Sequence, residues 1–365
     1  MAIFVGIFGV LMITGILWDV FETIVLPRRV TRQIRPTRLF YSYTWQPWRL
    51  VARIIRTKKR REKFLGIYGP LSLLALLGFW ALSVIVGFAL VHWAIKSHIG
   101  SINHPSSLFT DFYYSGTTFF TLGLGDVAPI GRAARALTVA EASIGFGMLA
   151  LVIGYLPVLY QAFSRREVNI SMLDARAGTP PTAVELLRRH QEAGAMSNLD
   201  EWLRDWEMWA ADLMESHLSY PVLCYFRSQH DNQSWLRALT TVLDTCALVM
   251  VGLKDGPAWQ ARMTFAMTRH AVVDIAQVLK RKPSERELCQ DRLTETDLQR
   301  VQLMLSENGI DFADPEVEKR LRELRLMYEP YVFSLSEHLL MPLPPWILPQ
   351  NAIDNWKTSA WGRIQ

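Results

Sequence analysis

Charged residues are scarce in this sequence. They make up 20% of its 365 residues, whereas 50% of the residues are hydrophobic. Soluble domains carry about 25% charged residues, so this balance favours long apolar segments and excludes intrinsic disorder. Cysteine is scarcer still, and the three present, Cys224, Cys246 and Cys289, lack the CxxC spacing of a metal or redox site. A disulfide scaffold is therefore excluded, and we expect reduced structural thiols and no metal site.

Motifs of enzymes and of nucleotide-binding domains are also missing. No GxGxxG follows a predicted strand, and P-loop, GxSxG, HExxH and kinase motifs are absent. These absences favour a protein that is not an enzyme and has no cofactor. The dipeptide His230-Asp231 resembles that of metal-dependent phosphohydrolases, for which His217 and Asp274 would be the further ligands. Because such a dipeptide arises by chance in a chain of this length, we interpret these residues as structural.

Long apolar segments are what the sequence does contain. Three of them, at 3–26, 71–94 and 134–160, reach the length of about 20 residues that is needed to cross a bilayer. A further apolar run at 108–120 is too short to span. The first segment lacks the basic start and the cleavage site of a signal peptide, so we interpret it as a retained helix.

Positive charge is concentrated between the first two apolar segments. Residues 28–63 hold 13 Lys or Arg and one acidic residue, whereas residues 164–365 carry a net charge of −5. The positive-inside rule then predicts an N-terminus outside the cell and a cytoplasmic C-terminal half. From Trp45 to Lys58, apolar residues alternate with basic ones, which is typical of an amphipathic helix at the inner membrane surface. We expect the basic segment to contact anionic lipid headgroups, and we expect no nucleic-acid partner.

The run at 108–120 leads into Thr-Leu-Gly-Leu-Gly-Asp at 121–126. Non-helical backbone at membrane depth is tolerated where it is buried in protein or lines a water-filled path. Glycines at alternate positions accept positive φ, which lets successive carbonyl groups point to one side. Four such strands around an axis would form rings of oxygens that replace the hydration shell of a cation. The Thr121 hydroxyl would add a further ring, and Leu122 and Leu124 would face outward into a packing sleeve.

This hexapeptide resembles the TVGYGD filter of the potassium channel superfamily, in its form with two spans and a pore loop. The resemblance covers residues 70–163 and implies a potassium-selective channel with K⁺ as its permeant ion. Because each chain has one pore loop, it also implies a homotetramer. Leu124 replaces the usual Tyr or Phe, so no side-chain hydroxyl can tie the filter to the pore helix there. The K⁺ ligands implied are Thr121, Leu122, Gly123 and Leu124, and Gly125 completes the ion-binding filter.

The same resemblance suggests roles for residues around the filter. Tyr113 and Tyr114 stand where the family has pore-helix aromatics, and Asp126 stands at the outer mouth. The residues expected to support the filter from behind are Ser115, Thr117 and Thr118. Glycine and proline permit bends in the third apolar segment, and the candidate gating hinges are Gly145, Gly147, Gly154 and Pro157.

Several acidic residues and histidines lie in or beside the apolar segments, where an ionisable side chain is costly and is expected to have a partner. We expect Glu141 behind the filter near Thr117 or Thr118, as a filter brace or gate; an inter-helix hydrogen bond and a cavity-facing charge are the alternatives. Asp19 and Glu22 share a helix face and are expected to pair with arginines of the basic segment, with a cation site as the alternative. The histidines at 92, 98 and 104 flank the outer loop and are interpreted as solvated, with a proton sensor as the alternative.

The spacing of apolar residues predicts that the C-terminal half is helical. A stripe of tryptophans at Trp202, Trp206 and Trp209 has helical spacing and is interpreted as core. The apolar stretch 235–253 contains Arg237 and Asp244, so we favour a soluble helix over a fourth span. The sequence leaves the gating stimulus and any ligand of this half open.

The predicted fold class is an all-α membrane protein: a tetrameric pore-loop channel with an additional N-terminal span, an interfacial amphipathic helix and a helical cytoplasmic domain, placed in the cell membrane as a multi-pass protein. A weakly selective cation channel, and a non-conducting receptor or enzyme that uses the helical half, are the alternative functions. The predicted segments are an N-terminal span at 1–27, a basic loop at 28–66, a pore domain at 67–163 (span 70–95, pore helix 107–120, filter 121–126, span 133–161) and a helical domain at 164–365.

Overall fold

The computed structural model describes residues 1–26, 35–97, 99–100, 107–230, 232–253, 256–285, 291–306 and 315–357. These residues are mostly helical, in agreement with the predicted all-α class. A π-helical turn at Phe21–Val25 extends the first helix, and the strands β1 (Ile99–Gly100) and β2 (Ala128–Pro129) form one antiparallel pair. The α-helices are α1 (Ala2–Val20), α2 (Pro36–Ile54), α3 (Lys58–Ala94), α4 (Leu108–Phe119), α5 (Arg132–Ala177), α6 (Ala183–Glu192), α7 (Leu199–Ser219), α8 (Trp235–Gly252), α9 (Ala258–Val278), α10 (Glu295–Ser306), α11 (Pro315–Leu326) and α12 (Glu329–Leu339).

The chain divides into two compact units. The first unit comprises Met1–Ile54 and Ile67–Tyr160, and the second comprises Ile55–Gly66 and Gln161–Gln365. Helices α3 and α5 each contribute residues to both units. Both helices extend beyond their apolar segments. The Lys, Arg, Glu and Gln residues that flank those segments are good helix formers, so the helix continues through them.

The helix bounds differ from the predicted spans in the same way. The second span was expected to begin at residue 70, but α3 begins at Lys58. The third was expected to end at residue 161, but α5 continues to Ala177 and passes through Pro157 without a break. Hydropathy marks the apolar part of a helix and carries no information about a polar extension.

The first unit packs α1 against α3 through glycine. A Cβ on Gly9 would lie 2.7 Å from the Gly87 carbonyl oxygen, and a Cβ on Gly87 would lie 2.6 Å from Ile13 Cγ1. Small residues at such crossings let two backbones approach closely, which is how helices associate in lipid. Around this crossing, Ile13, Ile16 and Val84 are buried in one apolar core.

Four of the described helices are long and apolar enough to cross a membrane: α1 with its π turn, α3, α5 and α8. In α8, 83% of the apolar window is buried within the protein, compared with 22% in α1 and in α5. A helix that crosses a bilayer exposes apolar surface to lipid, whereas the surface of α8 is already covered by protein. Helix α8 is therefore a core helix of the second unit, as its internal Arg237 and Asp244 led us to expect.

The tryptophan stripe of α7 lies in the core of the second unit. Trp202, Trp206 and Trp209 are each at most 5% exposed. Their rings contact one another in sequence, with centroids 5.6 Å and 4.7 Å apart. The interpretation of this stripe as core is confirmed.

Candidate functional site

Helix α4 presents the 121–126 segment at its C-terminal end. It begins after Ser107, whose hydroxyl accepts a hydrogen bond from the Thr110 amide at 3.1 Å, an N-cap that fixes the start of the helix. At the other end, the Thr121 amide donates to the Thr118 carbonyl (3.0 Å) and the Leu122 amide donates to the Thr117 carbonyl (2.8 Å). These two bonds form a Schellman-type cap, which requires the left-handed conformation at Thr121.

Positive φ recurs at every second residue of the following segment. The values are +56° at Thr121, +58° at Gly123 and +76° at Gly125. Glycine accepts this conformation at little cost, but a β-branched threonine there is unusual and strained by about 1–2 kcal/mol. Strain of this kind persists where the surrounding structure imposes it, and it is concentrated at functional sites.

The amides at the start of this segment are used by α4, whereas its carbonyl groups are not used. Within the described part of the chain, the carbonyl oxygens of residues 121–125 accept no hydrogen bond. All six residues of 121–126 are exposed in the single chain, including the apolar side chains of Leu122 (61%) and Leu124 (63%). The segment therefore exposes a row of backbone carbonyl groups that accept no hydrogen bond from a described residue, together with two largely exposed leucine side chains.

Two tyrosine hydroxyl groups fix the flanks of this segment. The Tyr113 hydroxyl donates to Asp126 Oδ2 at 2.9 Å, which ties the far end of the segment back to α4. The Tyr114 hydroxyl lies 2.6 Å from Thr138 Oγ1 and joins α4 to α5. With leucine at position 124, these two contacts supply hydrogen bonds around the 121–126 segment that the Leu124 side chain cannot supply.

Gly145 sits where α5 touches the end of α4. A Cβ on Gly145 would overlap the Phe119 carbonyl oxygen and would lie 2.9 Å from its carbon. The same test at Gly147 and Gly154 finds no atom within 4 Å. Of the three glycines, Gly145 is the one whose lack of a side chain the packing requires, and its neighbour is the last turn before the filter segment.

Behind α4 lies a buried polar cluster. Glu141 and His92 are both fully buried, with Glu141 Oε2 3.6 Å from His92 Nε2. The Ser115 hydroxyl neighbours Glu141, and His92 Nδ1 lies 2.9 Å from Ser97 Oγ. The expectation that His92 is solvated is wrong, because α3 places it against α4 and α5. His98 and His104 lie outside the described residues.

Sequence reasoning identified Glu141 but missed its partner. Glu141 was expected beside Thr117 or Thr118, whereas its contacts are His92 and Ser115. The Thr117 hydroxyl instead donates within α4 to the Tyr114 carbonyl at 2.9 Å. The signal available in the sequence was a histidine in the last turn of an apolar helix, where a buried acid on another helix is its natural partner.

Comparison with known proteins supplies a family for this region. Residues 76–161, which include α4, the 121–126 segment and the apolar part of α5, match the family model described as "Ion channel". This segment is therefore similar to ion channel domains. The match confirms the resemblance to the potassium channel superfamily that the filter residues suggested.

Two curated relatives are similar to parts of the chain. The uncharacterized membrane protein YdjJ of Bacillus subtilis (strain 168) is 21% identical over 221 residues, which are 60% of this chain and 62% of the relative. Protein LctB of Bacillus caldotenax is 33% identical over 84 residues, which are 20% of this chain and 62% of that protein. The chain thus spans about 62% of the length of each relative. No solved structure matches the chain.

The acidic pair near the end of α1 is held by the basic segment. Arg35 Nε lies 3.2 Å from Glu22 Oε2 and 3.6 Å from Asp19 Oδ1. Asp19 Oδ2 also accepts hydrogen bonds from the Trp80 indole (3.0 Å) and from the Thr37 amide (3.0 Å). The predicted pairing with a basic-segment arginine is confirmed, and it fastens the end of α1 to the start of α2.

Of the residues considered for a hydrolase site, those that the structure describes form no metal-binding cluster. His217 is buried, its Nδ1 donates to the Leu213 carbonyl at 2.8 Å, and its Nε2 lies 3.2 Å from Arg166 Nη1. Burial and the Arg166 charge hold the pKa of His217 well below its usual value, so the ring is neutral. Asp274 instead faces His270, at 3.1 Å, and Asp231 lies outside the described residues. Among the residues that the structure describes, no cluster of His, Cys, Asp and Glu could hold a metal ion.

The cysteines that can be described are inert. Cys224 and Cys246 are unpaired and buried, and burial raises the pKa of Cys224 to about 12. A thiol is nucleophilic as the thiolate, so neither side chain is poised for redox or nucleophilic chemistry. Cys289 lies outside the described residues.

Proposed function

We propose that this chain is the subunit of a potassium-selective homotetrameric channel whose filter is Thr121-Leu-Gly-Leu-Gly-Asp126. The observation that carries the proposal is the alternation of positive φ at Thr121, Gly123 and Gly125 inside an ion channel domain. This alternation lets the free carbonyl groups of residues 121–124 turn to one side, where they can replace water around a dehydrated monovalent cation.

The proposed ion-binding site requires an oligomer, because one chain supplies only part of it. Each chain supplies a single row of carbonyl oxygens, and a closed ring of oxygens needs several copies about one axis. The exposed side chains of Leu122 and Leu124 also need an apolar cover, which neighbouring subunits would supply. Four copies is the number that the potassium channel superfamily implies.

The local electrostatics favour a cation. The C-terminal end of α4 faces the filter segment and carries a partial negative charge from its aligned peptide dipoles. Asp126 adds a carboxylate at the other end of the segment. Both features attract K⁺ without a direct side-chain ligand, and the protein needs no further cofactor for passive transport.

The proposed membrane arrangement has three spans: α1, the apolar part of α3 and the apolar part of α5. The charge distribution favours an N-terminus outside and a cytoplasmic second unit. Helix α2 fits a position at the inner surface, because Tyr43, Leu50 and Ile54 are exposed apolar residues on a helix that also carries arginines. Anionic lipid headgroups would contact the basic segment 28–63 there.

Ion flux from proteoliposomes tests the proposal. The full-length protein should release K⁺ down its gradient with a strong preference over Na⁺. Substitution of Gly123 by Ala should abolish the flux while assembly is retained, because a Cβ at φ +58° costs about 1–2 kcal/mol per subunit and disfavours the backbone conformation that aligns the carbonyl groups.

Gly131→Ala is the matched control, since Gly131 lies outside the filter, has no positive φ and meets no atom within 4 Å. It should conduct like the wild type. Equal fluxes of K⁺ and Na⁺ through the wild type would refute selectivity, and normal conduction by Gly123→Ala would refute the filter assignment.

A further inference from the structure

The second unit contains a basic cavity that the channel domain does not explain. Its volume is about 270 Å³, and it is enclosed by the first residues of α3, the segment 227–230 and the start of α8. The charged side chains that line it are four cations and one carboxylate: Lys58, Lys63, Arg227, Arg237 and Glu62. The lining of the cavity therefore carries an excess of positive charge.

Two of these cations are buried with too little negative charge around them. Arg227 donates to the Leu340 carbonyl at 3.2 Å and to the Leu339 carbonyl, but its carboxylate partner, Glu62, is 3.5 Å away. Arg237 donates to the carbonyls of Pro342 (2.8 Å) and Asn232 (2.5 Å); Glu62 and Asp174 act on it electrostatically, but it forms no ion pair with a described residue. Carbonyl groups satisfy hydrogen bonds but do not neutralise a buried charge.

The same unit shows how it neutralises a buried arginine elsewhere. Arg292 is held by Asp244 at 2.6 Å and by Glu329 at 3.3 Å, and the nearby carboxylates raise its pKa above the usual value. At the cavity the trend is reversed: burial lowers the pKa of Arg227 to about 10, and that of Arg237 is lowered as well. A buried guanidinium of this kind is stabilised by an added anion.

Two further features suit a group with several anionic oxygens. The cavity lies at the N-terminus of α8, where Ser234 caps the helix and the peptide dipoles add partial positive charge. Ser228 lines the cavity, and its hydroxyl oxygen is buried without a hydrogen-bond partner. The volume of about 270 Å³ is just below the range for ligand pockets, about 300–1,000 Å³, which fits a small phosphate-bearing group and not a large organic molecule.

We propose that this cavity is a binding site for a phosphate group, held by Lys58, Lys63, Arg227 and Arg237 at the N-terminus of α8. The phosphate would belong either to a soluble phosphorylated compound or to the headgroup of an anionic lipid. In either case the ligand would join the start of α3 to the segment that leads into α8. The site lies wholly within the second unit, and its test does not involve ion flux.

Binding of inorganic pyrophosphate to the full-length protein in a neutral detergent tests the soluble source. Titration calorimetry at physiological ionic strength should give saturable binding. The double variant Lys58→Gln/Lys63→Gln should weaken the affinity at least tenfold, because each charge-assisted contact to phosphate contributes strongly. Both lysines are exposed at the rim of the cavity, so the fold should tolerate their replacement.

The matched control is Lys59→Gln/Arg60→Gln. These two residues lie in the same turn of α3 and are exposed, but they do not line the cavity. The control removes the same charge and should leave the affinity within twofold of the wild type. An equal loss in both double variants would mean that general electrostatic attraction binds the anion, and it would overturn the proposal.

Nanodiscs of phosphatidylcholine with and without phosphatidylglycerol test the lipid source. If pyrophosphate does not bind, the anionic lipid should raise the thermal unfolding temperature of the wild type and of the control, but not that of Lys58→Gln/Lys63→Gln. This result would support the site with a headgroup as its ligand. If neither probe distinguishes the two double variants, the cavity is not a phosphate site.

Discussion

The contact between Gly145 and Phe119 makes a sharp prediction about what that glycine does. The sequence suggested a gating hinge, whereas the structure shows close packing of α5 against the last turn of α4. In Gly145→Ala the new methyl group would lie 2.9 Å from the Phe119 carbonyl carbon and 3.1 Å from its Cα. The methyl group would also overlap the Phe119 carbonyl oxygen, so the end of α4 must move by about 1 Å or more to restore normal contact distances.

That displacement should be costly, and it should reach the filter. Overpacking of this size costs about 1–3 kcal/mol per subunit. Phe119 is two residues before Thr121, whose amide is bonded to α4, so the backbone of the proposed filter, residues 121–126, cannot stay in place while α4 moves. We expect Gly145→Ala to unfold at a lower temperature and to conduct with a reduced preference for K⁺ over Na⁺.

Gly147→Ala is the control for this experiment. It lies half a turn away on the same helix, meets no atom within 4 Å and should gain about 0.5–1 kcal/mol from the better helix propensity of alanine. The assays are thermal unfolding of the purified protein, followed by tryptophan fluorescence, and K⁺ and Na⁺ flux from liposomes. If Gly145→Ala has the stability and the selectivity of the wild type, the packing role is refuted. If both are unchanged but the rate of channel opening differs, the result favours a hinge at Gly145.

Two further predictions concern buried charge. In the first unit, Glu141→Ala and His92→Ala should each lower the stability by about 1–3 kcal/mol, because each removes one polar partner of the other buried group. The double variant should cost less than the sum of the two, and strict additivity of the unfolding free energies would refute the pairing. In the second unit, Arg292→Met strands the carboxylate of Asp244, which is 1% exposed, and should cost about 3–5 kcal/mol. Arg204→Ala, which breaks an exposed ion pair, should change the thermal unfolding of the same protein by no more than about 0.5 kcal/mol; equal effects of the two substitutions would contradict the argument.

Periodic and compositional features were readable from the sequence because they depend on neighbours along the chain. The apolar segments located α1, α3 and α5, and the 3.6-residue spacing of Trp202, Trp206 and Trp209 located the buried face of α7. Internal charges in α8 argued correctly against a fourth span, since a charge within a bilayer is far more costly than one that is hydrogen-bonded in a protein core. The alternating glycines of the 121–126 segment predicted the recurrence of positive φ, because glycine is the residue that adopts it freely.

Contacts between distant segments were decided by the tertiary structure. The sequence predicted a functional position for Glu141 but did not identify His92 as its partner. The two residues are separated by 48 residues along the chain, and no local pattern connects them. The sequence named Gly145 as a hinge, whereas the packing of α5 on α4 makes that position a close contact. The excess of positive charge in the cavity of the second unit was likewise invisible, because it arises when the start of α3 meets residues near 227–237 and their carboxylate partners are too few. Secondary-structure propensity depends on residues that are close in the sequence, so it can be predicted from the sequence. Which charged groups are buried together depends on contacts between distant segments, and these are set by the tertiary fold.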